Sequence, residues 1–218
     1  MQKIMFNDTY LLTQAVLEGR KTMTRRIIDK KKNEYFLNLL SDKGYMKHTG
    51  TLSYDDEFGE FRIDDVYECT TCRPMYKIGE VVAVAQSYKN IGYQPTDKTP
   101  IIKGNKIEFI EFQKHKGWTN KMFVRADNMM SYLQIKDIKI EKLQDISYED
   151  CLSEGIIKKW HAPACAYFYY VPGIEVKTKY DVYRRANEAF AALIDKVSGK
   201  GTWESNPYVF AYSFELVK

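Results

Sequence analysis

From residue 131 to 143 apolar side chains alternate with Lys, Asp and Glu, and the alternation changes phase partway along. Leu133 and Ile135 share one phase, and Ile138 and Ile140 take the other, with Leu143 at the end. A period of two marks a half-buried strand, and a slip of one residue would turn its apolar set to solvent. The break therefore predicts a bulge or bend near Lys136–Asp137. Residues 79–88 (GEVVAVAQSY), 106–112 and 207–216 (PYVFAYSFEL) read as further strands.

Helical patterning is sparser. Asn7 and Asp8 can cap a helix with Leu11, Leu12, Ala15 and Val16 on one face, stopped by Gly19. Ser147 caps a short helix with Asp150 in the capping-box position, closed by Gly155. A third helix is predicted over 180–198, with Val182, Tyr183, Ala186, Ala189, Phe190, Leu193, Ile194 and Val197 on one stripe. Residues 89–105, with two Gly and two Pro, read as a loop, and 29–75 as a long hairpin or insertion. Several strands with few helices, not strictly alternating, indicate an α+β fold. With 17 Tyr and 11 Phe, the aromatic content also favours strands. At 218 residues the chain fits one domain with a substantial core, and 1–218 is read as one unit with insertions at about 29–74, 89–116 and 158–180.

The formal charge of +4 is modest, but its distribution is uneven. Residues 19–32 hold seven bases against the single acid Asp29, a local +6 that leaves −2 for the remainder. Such a field suits a phosphate-facing patch, or equally a solvated basic loop. The first residues lack a secretory pattern, and no run approaches the roughly 20 apolar residues of a membrane helix. Four Cys without an export signal are expected as free thiols in a cytoplasmic protein.

Four blocks carry a resemblance: GRKTMTRR at 19–26; YKIGEVVAVAQSY at 76–88; KGWTNKMFVRADNM leading into IKIEKLQDISYEDCLSEGI; and NEAFAALIDKVSGKGTWESNPYVFAYSFEL near the end. Together they resemble an ASCH-domain protein of the PUA-like superfamily, of the kind often encoded by phages and prophages. The resemblance implies a PUA-like β-barrel with flanking helices and a cleft for RNA or a modified nucleotide. Arg20, Lys21, Arg25, Arg26 and Trp118 would then be the nucleic-acid-binding residues. Some compact ASCH members hydrolyse N4-acylated cytidine with a Lys, a Thr and a Glu, which fall here on Lys21, Thr24 and Glu154. Where the wider phage family usually has Arg-Glu on the second strand, Ala85 and Gln86 stand here, which removes an acid from that strand.

For the amidohydrolase reading, Lys21 must shed its proton readily. Arg20, Arg25 and Arg26 would assist by like-charge repulsion, and a cleft wall by desolvation. Thr24 is then the nucleophile and Glu154 the orienting group. Lys21 and Thr24, three apart, point to opposite faces of a straight strand, so the chain has to turn near Thr22–Met23. A carboxylate at Glu154, in the last turn of a helix, is easier to explain if it faces a cation such as Lys21 or Arg25. The alternatives are that the bases hold phosphate while Thr24 is a plain strand residue, or that the chain is a phage–host adaptor without ligand chemistry.

No cofactor is expected, although Cys69, Cys72, His161 and Cys165 have spacings that admit a zinc site. Trp118, Phe123, Trp160 and the run Tyr167–Tyr170 are candidates for base stacking, at least two of the run being core by strand alternation. Trp203 is read as a core plug, and His48 and His115 as surface residues.

Overall fold

The computed structural model describes residues 1–41, 51–64, 69–93, 101–103, 106–108, 114–177 and 182–217. Its centre is a five-stranded sheet of β1 (Lys3–Ile4), β6 (Val81–Val84), β9 (Tyr132–Lys142), β12 (Tyr208–Val217) and β2 (Met23–Ile27), in that spatial order. β1 runs parallel to β6, and the other pairs are antiparallel. A three-stranded sheet holds β3 (Thr51–Asp55), β4 (Glu60–Asp64) and β5 (Cys69–Cys72). Two hairpins stand apart, β7 (Ile101–Lys103) with β8 (Lys106–Glu108), and β10 (Ile157–His161) with β11 (Ala166–Tyr170).

The helices are α1 (Leu12–Leu17), α2 (Glu34–Ser41), α3 (Tyr88–Ile91), α4 (Tyr148–Ser153), α5 (Ala186–Ser198) and α6 (Thr202–Ser205). None among the described residues is long and apolar enough to cross a membrane.

The register of β12 sorts the core. Phe210, Tyr212 and Phe214 pair with Ile140, Ile138 and Ile135 on one side, and Phe210 and Tyr212 with Arg26 and Thr24 on the other. Directly paired residues share a face, so these side chains line one surface of the sheet. There Phe61 of β4 stacks on Phe210 and Tyr76 meets Tyr212 edge-on, which joins the three-stranded sheet to the main one. The opposite surface carries Val209 and Ala211 with Arg25 and Glu141. A second cluster, Ala83, Ala85, Tyr88, Val124 and Met129, packs beside β6.

The bulge lies where the alternation breaks. Ser213 faces Asp137 while Phe214 faces Ile135, so Lys136 is the extra residue. It restores the inward direction of Ile138 after Ile135. Elsewhere the structure trims the expected elements. The strand expected over 79–88 is ordered as β6 for four residues only, because Ser87 accepts from Asn90 N and caps α3. The third helix begins at Ala186: Tyr183 exchanges backbone hydrogen bonds with Tyr169 and is spent on a bridge to β11. Residues 109–113, part of the expected strand at 106–112, and His48 lie outside the described residues.

The barrel expectation is corrected. All the sheets are open, and in the five-stranded one β1 and β2 are unpaired edges with no ladder between them. β1 contributes two residues, and the Lys3 carbonyl, turned away from β6, accepts from the Tyr76 hydroxyl at 3.1 Å. Across the gap, Arg26 Nη2 donates to the carbonyl of Met5, just past β1, at 2.6 Å. A mixed α+β fold without barrel closure conflicts with the PUA-like architecture that the ASCH resemblance implies.

Gly173 tests this packing. Its φ is +74°, and a Cβ there would sit 2.5 Å from the Thr9 carbonyl oxygen, where the 171–174 turn crosses the approach to α1. Backbone cannot give way as a flexible side chain can. Gly173→Ala is expected to destabilise the protein by about 1–3 kcal/mol, measured by urea denaturation.

Candidate functional site

Lys21 lies between α1 and β2. Gly19 takes φ +72° behind α1, Lys21 N donates to Ala15 O, and Thr22 N donates to Ser153 O at the end of α4. The chain is therefore turned before β2 begins at Met23, which sends the Lys21 side chain inward. It is 2 % exposed. Its Nζ donates to the Glu154 carboxylate at 2.5 Å and to the Glu154 carbonyl at 2.9 Å, and stands 5.8 Å from the centre of the Phe6 ring.

Glu154 is the C-cap of α4, where the helix end disfavours a negative charge. Two cations compensate. Lys21 takes Oε2, and Arg25 Nη1 lies 3.3 Å from Oε1. Arg25 also holds Asp150 at 2.6 Å and Glu141 at 2.6 Å, so one guanidinium joins β2, β9 and α4. The sequence pattern missed Glu141 and Asp150. Asp150 looked like a cap partner; its amide does bond to the Ser147 hydroxyl, but its carboxylate goes to Arg25. Glu141 is a polar residue of the alternation that the bulge places on Arg25's side of the sheet.

Burial acts first on Lys21 and lowers its pKa; the Glu154 charge and hydrogen bond resist this, and Arg26 and Arg25 add to the lowering. For Arg25 burial also works against the charge, but Glu154 and Glu141 outweigh it and the net shift is upward. Arg25 thus remains a fixed cation, while Lys21 gives up its proton more readily than a free lysine. The neighbouring Cys151 thiol is pushed up to about 12 by burial and stays protonated.

Thr24 is buried on β2, paired with Tyr212 and on the face that carries Arg26 and Phe214. The Lys21 ammonium donates to Glu154 and not to the Thr24 hydroxyl. The Phe6 ring is close to this face: it lies 5.9 Å from the Arg26 guanidinium and 5.8 Å from the Phe214 ring. The wall above is pinned by two lysines. Lys121 bonds to Phe6 O, to Asp8 at 2.7 Å and to Thr13 at 3.0 Å, and Lys3 donates to Met122 O and Val124 O. Tyr212, pushed up to about 12 by burial, accepts from Met75 N and fixes the segment after β5 on the same side.

The other candidates are scattered. Arg20 is exposed and pairs with Glu18. Trp118 is half-buried against the Tyr88 cluster, and Phe123 is exposed beneath the Lys116 ammonium. Trp203 meets Phe190 edge-on at the end of α5. His115 caps a 3-10 turn by accepting from Gly117 N.

The zinc set does not come together. Cys72 is buried in the main core, its thiol pushed up to about 11, while Cys165 is exposed at the tip of the β10–β11 hairpin. The side chain of Cys69 lies outside the described residues. No group of three or more His, Cys, Asp or Glu able to hold a metal occurs among those described.

Removing one member of a buried pair leaves a charge without a partner. Glu154→Ala should therefore cost about 3–5 kcal/mol in denaturant unfolding, and Lys21→Met combined with Glu154→Leu should recover most of it. The Lys21 pKa is lower folded than unfolded, so the unfolded chain binds more protons in that interval. Stability from this group is present above the unfolded value of 10.5 and lost as pH falls through the lowered folded value. Measured across the alkaline range, wild type should gain stability relative to Lys21→Met as pH rises.

Against known proteins the chain finds no counterpart: no family model matches it, and no curated protein or solved structure does. Lys21, Glu154 and Arg25 form one buried network, while Thr24 faces the other surface of the sheet from Arg25.

Proposed function

We propose that the protein is a small amidohydrolase that uses Lys21, Thr24 and Glu154 on an amide of an acylated aminopyrimidine, the N4-acylated cytidine type. One observation carries this reading: a lysine buried in an apolar and cationic surrounding, its proton loosened, is held on a buried carboxylate, with a buried threonine three residues along the chain. A phosphate-binding lysine would be open to solvent. The substrate class comes from the resemblance of the GRKTMTRR segment.

The chemistry needs no cofactor. Neutral Lys21 accepts the Thr24 hydroxyl proton as the oxygen attacks the amide carbonyl, forming a C–O bond. The same ammonium returns the proton to the leaving nitrogen as the C–N bond breaks, which releases the amine. Water then hydrolyses the threonine ester to carboxylic acid and restores the hydroxyl. Glu154 fixes the ammonium through two hydrogen bonds, and Arg25 keeps the carboxylate in place.

N4-acetylcytidine turnover, followed by chromatography of the released cytidine, tests the reading. Lys21→Ala should lower kcat by about 100- to 10,000-fold. Thr24→Val, which keeps the shape and removes the hydroxyl, should abolish turnover, and Thr24→Ser should retain part of it. Full activity in Thr24→Val, or no turnover by a folded wild type across acylated nucleosides, refutes the assignment. The rate should rise with pH to a plateau whose midpoint lies below the free-lysine value of 10.5.

A further inference from the structure

The β10–β11 hairpin stands away from the Lys21 network and takes no part in its chemistry. Lys158 pairs with Tyr169 and Trp160 with Tyr167, so these four side chains project from one face. Trp160 and Tyr167 touch at 5.0 Å between ring centres, yet are 54 % and 50 % exposed. The Lys158 ammonium lies 4.3 Å from the Tyr167 ring centre and 5.5 Å from that of Tyr148. Tyr148 in turn meets Tyr169 edge-on, with their hydroxyls 3.3 Å apart.

This surface continues into a cavity of about 330 Å³ whose walls include Tyr148, Tyr169, Arg184, Arg185 and Asn187. Arg184 stacks on Phe168, which alternates to the other face of β11, with its central carbon 4.4 Å from the ring centre. Stacking one face of the planar ion leaves its N–H edges free to point outward. Among the described residues neither Arg184 nor Arg185 is in an ion pair with an acid. Residues 156–187 hold six Lys and Arg against two acids, a surplus equal to the net charge of the whole chain.

We infer that this face binds single-stranded nucleic acid, with Trp160 and Tyr167 stacking on bases and Lys158, Arg184 and Arg185 holding the phosphates. The rings select a single strand, because a duplex hides the base faces they need. Lys158 lies on the Trp160–Tyr167 face, and Arg184 and Arg185 line the cavity that begins at Tyr148 and Tyr169. This surface is independent of the proposed hydrolase site, and the two can fail separately.

Fluorescence anisotropy of the full chain with labelled oligouridylate and oligothymidylate of about 12 nucleotides, a length within the range such sites occupy, tests it. A duplex of equal length and anionic phosphatidylserine vesicles serve as rival ligands. Single strands should bind at least about tenfold more tightly than the duplex. Trp160→Ala should weaken binding roughly 5- to 150-fold, while Trp160→Phe keeps most of it and shows that the hairpin folds. Arg184→Gln with Arg185→Gln should reduce the log–log salt slope by roughly 1.4. Acylcytidine turnover should be unchanged in Trp160→Ala, so loss of one activity does not report on the other. No binding at low salt, binding to vesicles alone, or equal affinity in the hairpin and arginine variants overturns the inference. So does binding lost in Lys30→Gln, Lys31→Gln, Lys32→Gln with the hairpin variants unaffected.

Discussion

Glu154 carries one negative charge inside the protein at a helix end that repels it, and two cations from the other side of the fold answer it. Each of these groups would be costly alone. Taking an ion out of water costs several kcal/mol after relaxation, and only close partners recover it. The fold is consequently obliged to bring α4 against the start of β2. The backbone hydrogen bond from Thr22 N to Ser153 O joins the residues next in sequence to Lys21 and Glu154. The same carboxylate that fixes the architecture also fixes the lysine proposed to do chemistry.

The network explains how an edge strand can sit at the functional centre. β2 pairs only with β12, and an exposed edge invites pairing with other chains. Here α4 and its acids cover one side of that edge. Arg25 reaches Glu141 and Asp150 on one surface of the sheet, while Thr24 and Arg26 face the aromatic surface of Phe6, Tyr212 and Phe214. Two successive residues thus serve different surroundings, one a saturated ion cluster and the other a largely apolar wall. Strand geometry alone divides them.

The parts of this design that could be read from sequence are those set by local rules. The phase change after Ile135 located the bulge because a period of two admits no other way to keep Ile138 inward. Ser147 was legible as a cap because its hydroxyl bonds to an amide three residues on. Global pairing was not legible. Alternating segments say which side chains are buried, not whether the first and last strands meet, and so a barrel was expected where the sheet is open. Likewise Tyr183 had the spacing of a helix stripe, but a partner in Tyr169, distant in pattern, took its backbone for a bridge. Arg25's acids come from residues 116 and 125 positions away, beyond the reach of any motif.

The open side of the sheet is bridged by side chains: Arg26 bonds to the carbonyl of Met5, with Phe6 beside it, and Tyr76 bonds to the carbonyl of Lys3. A ladder would make that boundary rigid, since its bonds must break together. Side-chain clasps behave otherwise. No strand pair depends on them, and Phe6, the ring over Lys21, is held separately through its carbonyl by Lys121. The ladder of the sheet and the wall over Lys21 are thus held by different bonds.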